Sequence, residues 1–231
     1  MKPPYIQFDP LDSPHPVPWS WVMANLSEVS QEQRPATWYY RSQSLLSPDR
    51  EYAAYSRIQL HAQPDFTRSR ISSTLYLEHL ATRELQLITT SSPLVEPIVG
   101  HLEIPDQEML CGTIAILIPV AWSEQGDKIL AREFVGMFGS SMASDCAIVW
   151  DRSLQRISTF VPSRITYTTA VLLGWSRFYP DRVLFRAGSL GDEQWMLWTV
   201  DCSGQTNAAP DDCPIVFGQV TTSDWTGPQA A

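Results

Sequence analysis

Lysine is nearly missing from this chain of 231 residues: only Lys2 and Lys128 accompany the arginines, and 16 basic residues face 25 acidic ones for a net charge of −9. An acidic surface repels phosphate backbones, which argues against a general nucleic-acid role. Arginine in place of lysine favours bidentate carboxylate contacts and protein interfaces, although coding bias explains the same imbalance. Charged residues make up only 18% of the chain. With ordinary hydrophobic content, that excludes general disorder, which needs low hydrophobicity and high net charge together. No run of eighteen apolar residues occurs, so no membrane-spanning helix is expected. The start, Met1-Lys2-Pro3-Pro4-Tyr5, lacks an apolar signal core, and a cytoplasmic location with reduced thiols is the default expectation. The four cysteines, Cys111, Cys146, Cys202 and Cys213, form no C-x-x-C pair, so metal-finger spacing is absent. Cys202 and Cys213 are close enough in sequence to bridge a loop.

Catalytic spacing is also absent. His15, His61, His79 and His101 are scattered, with no H-x-H or H-E-x-x-H pattern, and His15 lies between prolines in the segment least suited to rigid placement. Gly139-Ser140-Ser141 and Gly174-Trp175-Ser176 both miss the G-x-S-x-G elbow. The acidic pairs Asp192-Glu193 and Asp211-Asp212 do not spell a calcium loop. Gly136-Met137-Phe138-Gly139 has neither the lysine nor the helix of a phosphate loop. No catalytic residue, metal site or cofactor is assigned on these grounds.

Residues 1–18 hold six prolines, which remove backbone donors and keep this segment out of any sheet interior. It is expected to lie extended on the surface or to be disordered. Pro18 suits the first turn of a helix, and Trp19, Val22, Met23, Leu26 and Val29 fall at helical spacing, making one apolar stripe over Trp19–Val29. From about residue 37 the pattern changes to period two. Short β-prone runs such as Thr74–Leu77, Leu85–Ile88, Thr113–Ile118, Ala147–Trp150 and Arg182–Phe185 are separated by turn-forming residues, as in an antiparallel meander. No long helix pattern falls between them, which argues against a parallel βαβ sheet.

Three stretches can be laid on each other. Leu46-Ser47-Pro48-Asp49, Trp122-Ser123-Glu124-Gln125-Gly126-Asp127 and Trp175-Ser176-Arg177-Phe178-Tyr179-Pro180-Asp181 each end an apolar strand on a large residue, continue with a serine and a polar turn, and return to a strand. The serine hydroxyl is suited to bond nearby backbone and hold such a turn. A later strand pair follows the serine by 28, 25 and 20 residues (Ser47 to Leu75, Ser123 to Ile148, Ser176 to Met196), which suggests four-strand units with variable loops.

These units resemble the W-S-P-D-G-x-x-I-A repeats of the TolB-like and WD40-like β-propellers over roughly residues 40–220. Ser47-Pro48-Asp49 lacks the following glycine, Ser123-Glu124-Gln125-Gly126 lacks the proline, and the third copy carries two extra residues. The resemblance implies an all-β fold: an antiparallel meander of propeller-blade-like repeats, a small or incomplete β-propeller, preceded by a short N-terminal helix. The expected organisation is a proline-rich segment with the helix (1–36), the β-repeat domain (37–220) and a C-terminal tail (221–231). A fourth unit could lie between residues 90 and 120. A partly open meander, its edge covered by the proline-rich N-terminus, fits three units best.

Propellers host enzymes and scaffolds alike, so the resemblance transfers no activity. Nine tryptophans are present. Trp122, Trp150, Trp175 and Trp198 fall in repeat strands and are expected in the core. Trp19, Trp21 and Trp225 lie in terminal segments, where an aromatic can anchor a partner or staple a terminus to the body. The leading expectation is a non-catalytic interaction or assembly protein that binds another protein or itself, with no nucleic acid and no membrane span. The rival is a hydrolase or carbohydrate-active propeller with a loop-built site, whose candidate residues are Asp127, Glu133, Asp145, Asp192 and His101.

Overall fold

The computed structural model describes residues 9–88 and 111–229. Helix α1 spans Trp19–Glu32, and sixteen strands follow it: β1 (Ala36–Arg41), β2 (Ser44–Leu46), β3 (Tyr52–Ala62), β4 (Arg70–His79), β5 (Leu85–Ile88), β6 (Thr113–Trp122), β7 (Lys128–Met137), β8 (Ala143–Asp151), β9 (Arg156–Phe160), β10 (Thr169–Ser176), β11 (Val183–Gly188), β12 (Met196–Val200), β13 (Thr206–Ala208), β14 (Pro214–Ile215), β15 (Gln219–Thr221) and β16 (Gly227–Gln229). The described residues are therefore mostly β with one α-helix. Its sheets are open: one of eleven strands and one of five. Pairing is antiparallel except for a single parallel contact between β4 and β6 at Ile71 and Ile114. Among the described residues the strands close no ring. The fourth unit expected between residues 90 and 120 falls mostly outside the described residues.

The strands group into three successive antiparallel meanders: β2–β5, β6–β9 and β10–β13. The side-chain period of two decides how they pack. On β7, Ile129 and Ala131 face one way, into a core shared with Leu45, Ala54, Leu75 and Leu77 of the first meander. Leu130 faces the other way, into a core with Ala170, Leu172, Trp175 and Phe185 of the third. A strand buried on both faces reads as an apolar run, as Ile129–Ala131 and Phe134–Val135 do on either side of the buried Arg132 and Glu133.

The expected serine turns are present. Ser47 Oγ accepts from Tyr52 N at 3.0 Å, Ser123 Oγ accepts from Lys128 N at 2.9 Å, and Ser176 Oγ accepts from Tyr179 N at 2.9 Å. Each hydroxyl in turn donates to an aspartate: Asp49, Asp127 and Asp212. The tryptophans before Ser123 and Ser176 also link the meanders. The Trp175 indole donates to the Trp122 carbonyl at 2.9 Å, and the Trp122 indole donates to the Leu45 carbonyl at 3.1 Å. Trp122, Trp150 and Trp175 are buried, while Trp198 is half-buried.

The C-terminal segment runs back past the meanders in reverse order. β14 pairs with β10, Phe217 bridges Trp122 at the end of β6, β15 pairs with β2, and β16 pairs with β1. Gly218 makes this path possible. Its φ is +107°, and a Cβ there would lie 2.8 Å from the Leu46 carbonyl oxygen, so only glycine passes this close. This corrects the expected arrangement at the edge. β2 and β1 are covered by C-terminal strands whose backbone groups can pair, whereas the N-terminal prolines cannot donate.

Residues 9–18 do not lie loosely on the surface either. Val17 and Asp9 are buried, and Asp9 holds the segment in a tight coil by accepting from Leu11 N, Ser13 N and Val17 N. Helix α1 then sets Val22, Leu26 and Val29 against Ile58, Leu60, Ile71, Ile114 and Ile116. Each such side chain contributes about 1.5–3 kcal/mol of burial. The helix ends at Gln33, whose left-handed φ of 55° lets its N–H reach the Val29 carbonyl.

Candidate functional site

The structure does not bring together the four candidate catalytic residues that it describes. Asp127 accepts from Ser123 Oγ in its own turn, and Asp192 accepts from Ser189 N in the loop between β11 and β12. Glu133 is buried on β7 in register with Cys146. His101 lies outside the described residues. Asp145 belongs to a buried ionic node. Its Oδ1 accepts from Arg132 Nε at 2.8 Å, while its Oδ2 accepts from Leu172 N at 2.9 Å, tying the two sheets together.

Arg132 is fully buried on the central strand and has a second anionic partner, Asp9, whose Oδ2 lies 2.7 Å from Nη1. The same Nη1 donates to the His15 carbonyl at 2.6 Å. Desolvation pushes the Asp145 carboxyl up to about 6. Asp9 is held below its usual range by Arg132 and by the backbone N–H groups of Leu11 and Val17, despite partial burial. Burial lowers the His15 imidazole, whose Nε2 sits 3.0 Å from the Leu173 carbonyl oxygen. His15 is therefore held in place, contrary to its expected looseness, because Asp9 and Arg132 clamp the proline-rich coil on either side of it. The Arg132 guanidinium joins Asp9, Asp145 and the His15 carbonyl, and both carboxylates also accept from backbone N–H groups, so the node fastens the N-terminal coil to the sheets.

A second feature opens to solvent. Between α1, the turn joining β7 to β8 and the loop joining β3 to β4 lies a cleft of about 490 Å³. Trp19, Met23, Phe66, Phe138 and Met142 shape it, and among the described residues Ser27, Ser30 and Ser140 add hydroxyls to its lining. No charged side chain lines it among the described residues. Met23, Phe66 and Met142 are 50%, 48% and 54% exposed, which is unusual for three large apolar groups around one depression.

Local chemistry holds each wall. Trp19 is fixed edge-on against Phe134 (centroids 5.9 Å apart) and stacks on Phe138 at 6.4 Å. The loop carrying Phe66 is a single turn of 3₁₀ helix, Phe66–Arg68, capped by the Asp65 side chain. It is pressed against the start of β6 through Gly112, which has φ +80°, donates to the Ser69 carbonyl, and would place a Cβ 2.8 Å from the Thr67 carbonyl oxygen.

Of the three terminal tryptophans read as either partner anchors or staples, Trp19 lines this cleft. Trp21, two residues on, packs against Tyr40 at 5.3 Å and staples the helix to the sheet. Trp225 is 72% exposed in the turn before β16. The three do not form one patch. Sequence reasoning missed Phe66 and Met142, which lie far apart in the chain and carry no local signal, and it placed Met23 in the packed stripe of the helix. Cys202 and Cys213 are free thiols, so the loop between them is not bridged. Among the described residues no group of histidine, cysteine and carboxylate side chains could hold a metal, and no helix is long and apolar enough to cross a membrane.

Compared with known proteins, the chain matches no protein-family model and no curated protein sequence.

Proposed function

We propose that the protein is a non-catalytic interaction protein, and that the cleft beside α1 receives apolar anchor side chains from a segment of another protein. One observation carries this reading: exposed Met23, Phe66 and Met142 surround a depression with no charged lining. Acid–base chemistry needs titratable groups at the site, and none lines this cleft among the described residues. Methionine is unbranched and polarizable, and it repacks around partners of different shape. An amphipathic helix or extended strand with leucine- or phenylalanine-sized anchors fits such a depression. The net charge of −9 favours a partner segment with basic flanks, since complementary charge speeds encounter. We further propose that the three meanders are degenerate propeller blades. The supports are the turn serines, the indole-to-carbonyl links between successive units and the resemblance of their sequences to WD40-like and TolB-like repeats.

The test is quantitative co-purification of the full chain with its partner. Met23→Glu and Phe66→Glu each place a charge in the cleft and are expected to reduce recovered partner at least tenfold. Leu154→Glu, at an exposed position in the turn between β8 and β9, is expected to leave recovery unchanged. Equal recovery from all three variants would refute the cleft as the docking site.

A further inference from the structure

The other side of the β3–β4 loop carries a second, chemically opposite cleft of about 510 Å³. Arg68 and Arg70 line it together with His61, Gln59, Gln63 and Ser72. The sheet register assembles the group. His61 lies directly opposite Arg70, and Gln59 opposite Ser72, so four of these side chains leave one face of the β3–β4 ladder. The 3₁₀ turn adds Arg68 from the side.

No carboxylate lines this cleft among the described residues, and neither arginine makes an ion pair there. The nearest acid along the chain, Asp65, accepts from Thr67 N and Thr67 Oγ1 through Oδ1, and these bonds together with the nearby Arg68 charge hold its carboxyl below the usual range. Arg57 extends the basic strip along β3, opposite Arg41 on β1. Like charges directly opposed on a ladder are unfavourable, and Arg41 is turned aside, with its guanidinium 3.8 Å over the Tyr55 ring and hydrogen bonds to Ser44 and Ser223.

Two guanidinium forks share this polar hollow with no ion pair among the described residues, unlike three other arginines of the chain. Arg132, Arg152 and Arg182 all meet carboxylates. The forked donors of arginine match phosphate oxygens in bidentate fashion. The Gln59 carboxamide and the Ser72 hydroxyl supply neutral donors that a multiply charged oxyanion also needs, while Gln63 Nε2 lies 2.8 Å from His61 Nε2 and steadies that ring. The volume is that of a small-molecule site.

We propose that this cleft binds a small phosphorylated molecule, with Arg68 and Arg70 holding a phosphate or diphosphate group. The site is separate from the apolar cleft, although both flank the same loop, and its failure would leave the docking reading intact.

Isothermal titration of the full chain with inorganic pyrophosphate tests it, at constant ionic strength maintained with chloride. Saturable binding is expected, weakened at least tenfold in Arg68→Gln and in Arg70→Gln. Arg70→Lys, which keeps the charge and loses the fork, is expected to fall between. These side chains are partly or largely exposed, and unchanged thermal midpoints would confirm folded variants. Absence of saturable binding, or equal binding by wild type and variants, would overturn the proposal. Tighter binding of a decathymidylate strand, lost equally in Arg57→Gln, would also overturn it, because recognition would then belong to the open sheet face and a nucleic-acid backbone.

Discussion

Replacing Arg132 with methionine keeps most of the aliphatic stem and removes the guanidinium. Four hydrogen bonds disappear: two to Asp9, one to Asp145 and one to the His15 carbonyl. Asp145 is fully buried and Asp9 nearly so, and neither has another cation within ion-pair distance among the described residues. Removing one partner of a buried pair costs about 3–5 kcal/mol, mostly because the remaining charge stays buried without compensation. A typical domain has only about 5–15 kcal/mol in total. Urea denaturation followed by tryptophan fluorescence should therefore show a midpoint fall of roughly 1.5 M, taking a slope of about 2–3 kcal/mol/M. The loss should be asymmetric. Asp9 organises residues 9–18, so this segment should become sensitive to limited proteolysis before the sheets open. Combining Asp9→Asn with Arg132→Met should cost less than the sum of the single changes by more than about 1 kcal/mol, as expected for groups in one network. A loss below about 1 kcal/mol for Arg132→Met, or strict additivity in the pair, would refute the view that this node fastens the N-terminal coil.

Three further outcomes are expected. The Asp145 carboxyl is raised to about 6 from 3.8, so the folded state binds its proton more readily than the unfolded state does. The stability this group contributes is full below about pH 4 and is lost as pH rises through 6, a change of about 3 kcal/mol. His15, lowered by burial, has the opposite slope near its unfolded value of 6.5; comparing wild type with Asp145→Asn across pH 4.5–7.5 cancels it, and a constant stability difference over that range would contradict the assignment. Gly112→Ala combines a positive φ with a backbone approach of 2.8 Å and should destabilise by more than about 1 kcal/mol in thermal unfolding. Trp175→Phe leaves the Trp122 carbonyl without its indole donor and should cost about 1–3 kcal/mol from the unsatisfied acceptor and the lost volume, read as a lowered denaturation midpoint.

The strands were legible because their alternation is local. Thr74–Leu77, Leu85–Ile88, Thr113–Ile118 and Ala147–Trp150 all fall inside strands, and the helix predicted over Trp19–Val29 runs three residues further. The serine turns were legible for the same reason, since a hydroxyl and its backbone partner lie within a few residues. What escaped was non-local. Arg132 and Glu133 interrupt an apolar run, and charges in that position normally mark a solvated face. Only the tertiary arrangement brings Asp9 to Arg132 from 123 residues away. The returning C-terminal strands have two or three residues each, too few to show a period, and their Pro214, Gly218 and Gly227 read as loop. The candidate docking cleft was invisible because Met23, Phe66 and Met142 are ordinary residues until three separate elements converge.

The most direct test of the docking cleft is site-specific photo-crosslinking in the source cells, with benzoylphenylalanine placed in turn at positions 23, 142 and 154. The account predicts one common heterologous adduct from positions 23 and 142, lost when Phe66→Glu is added, and no such adduct from position 154. The same adduct from position 154, or none from the two cleft positions, would contradict it.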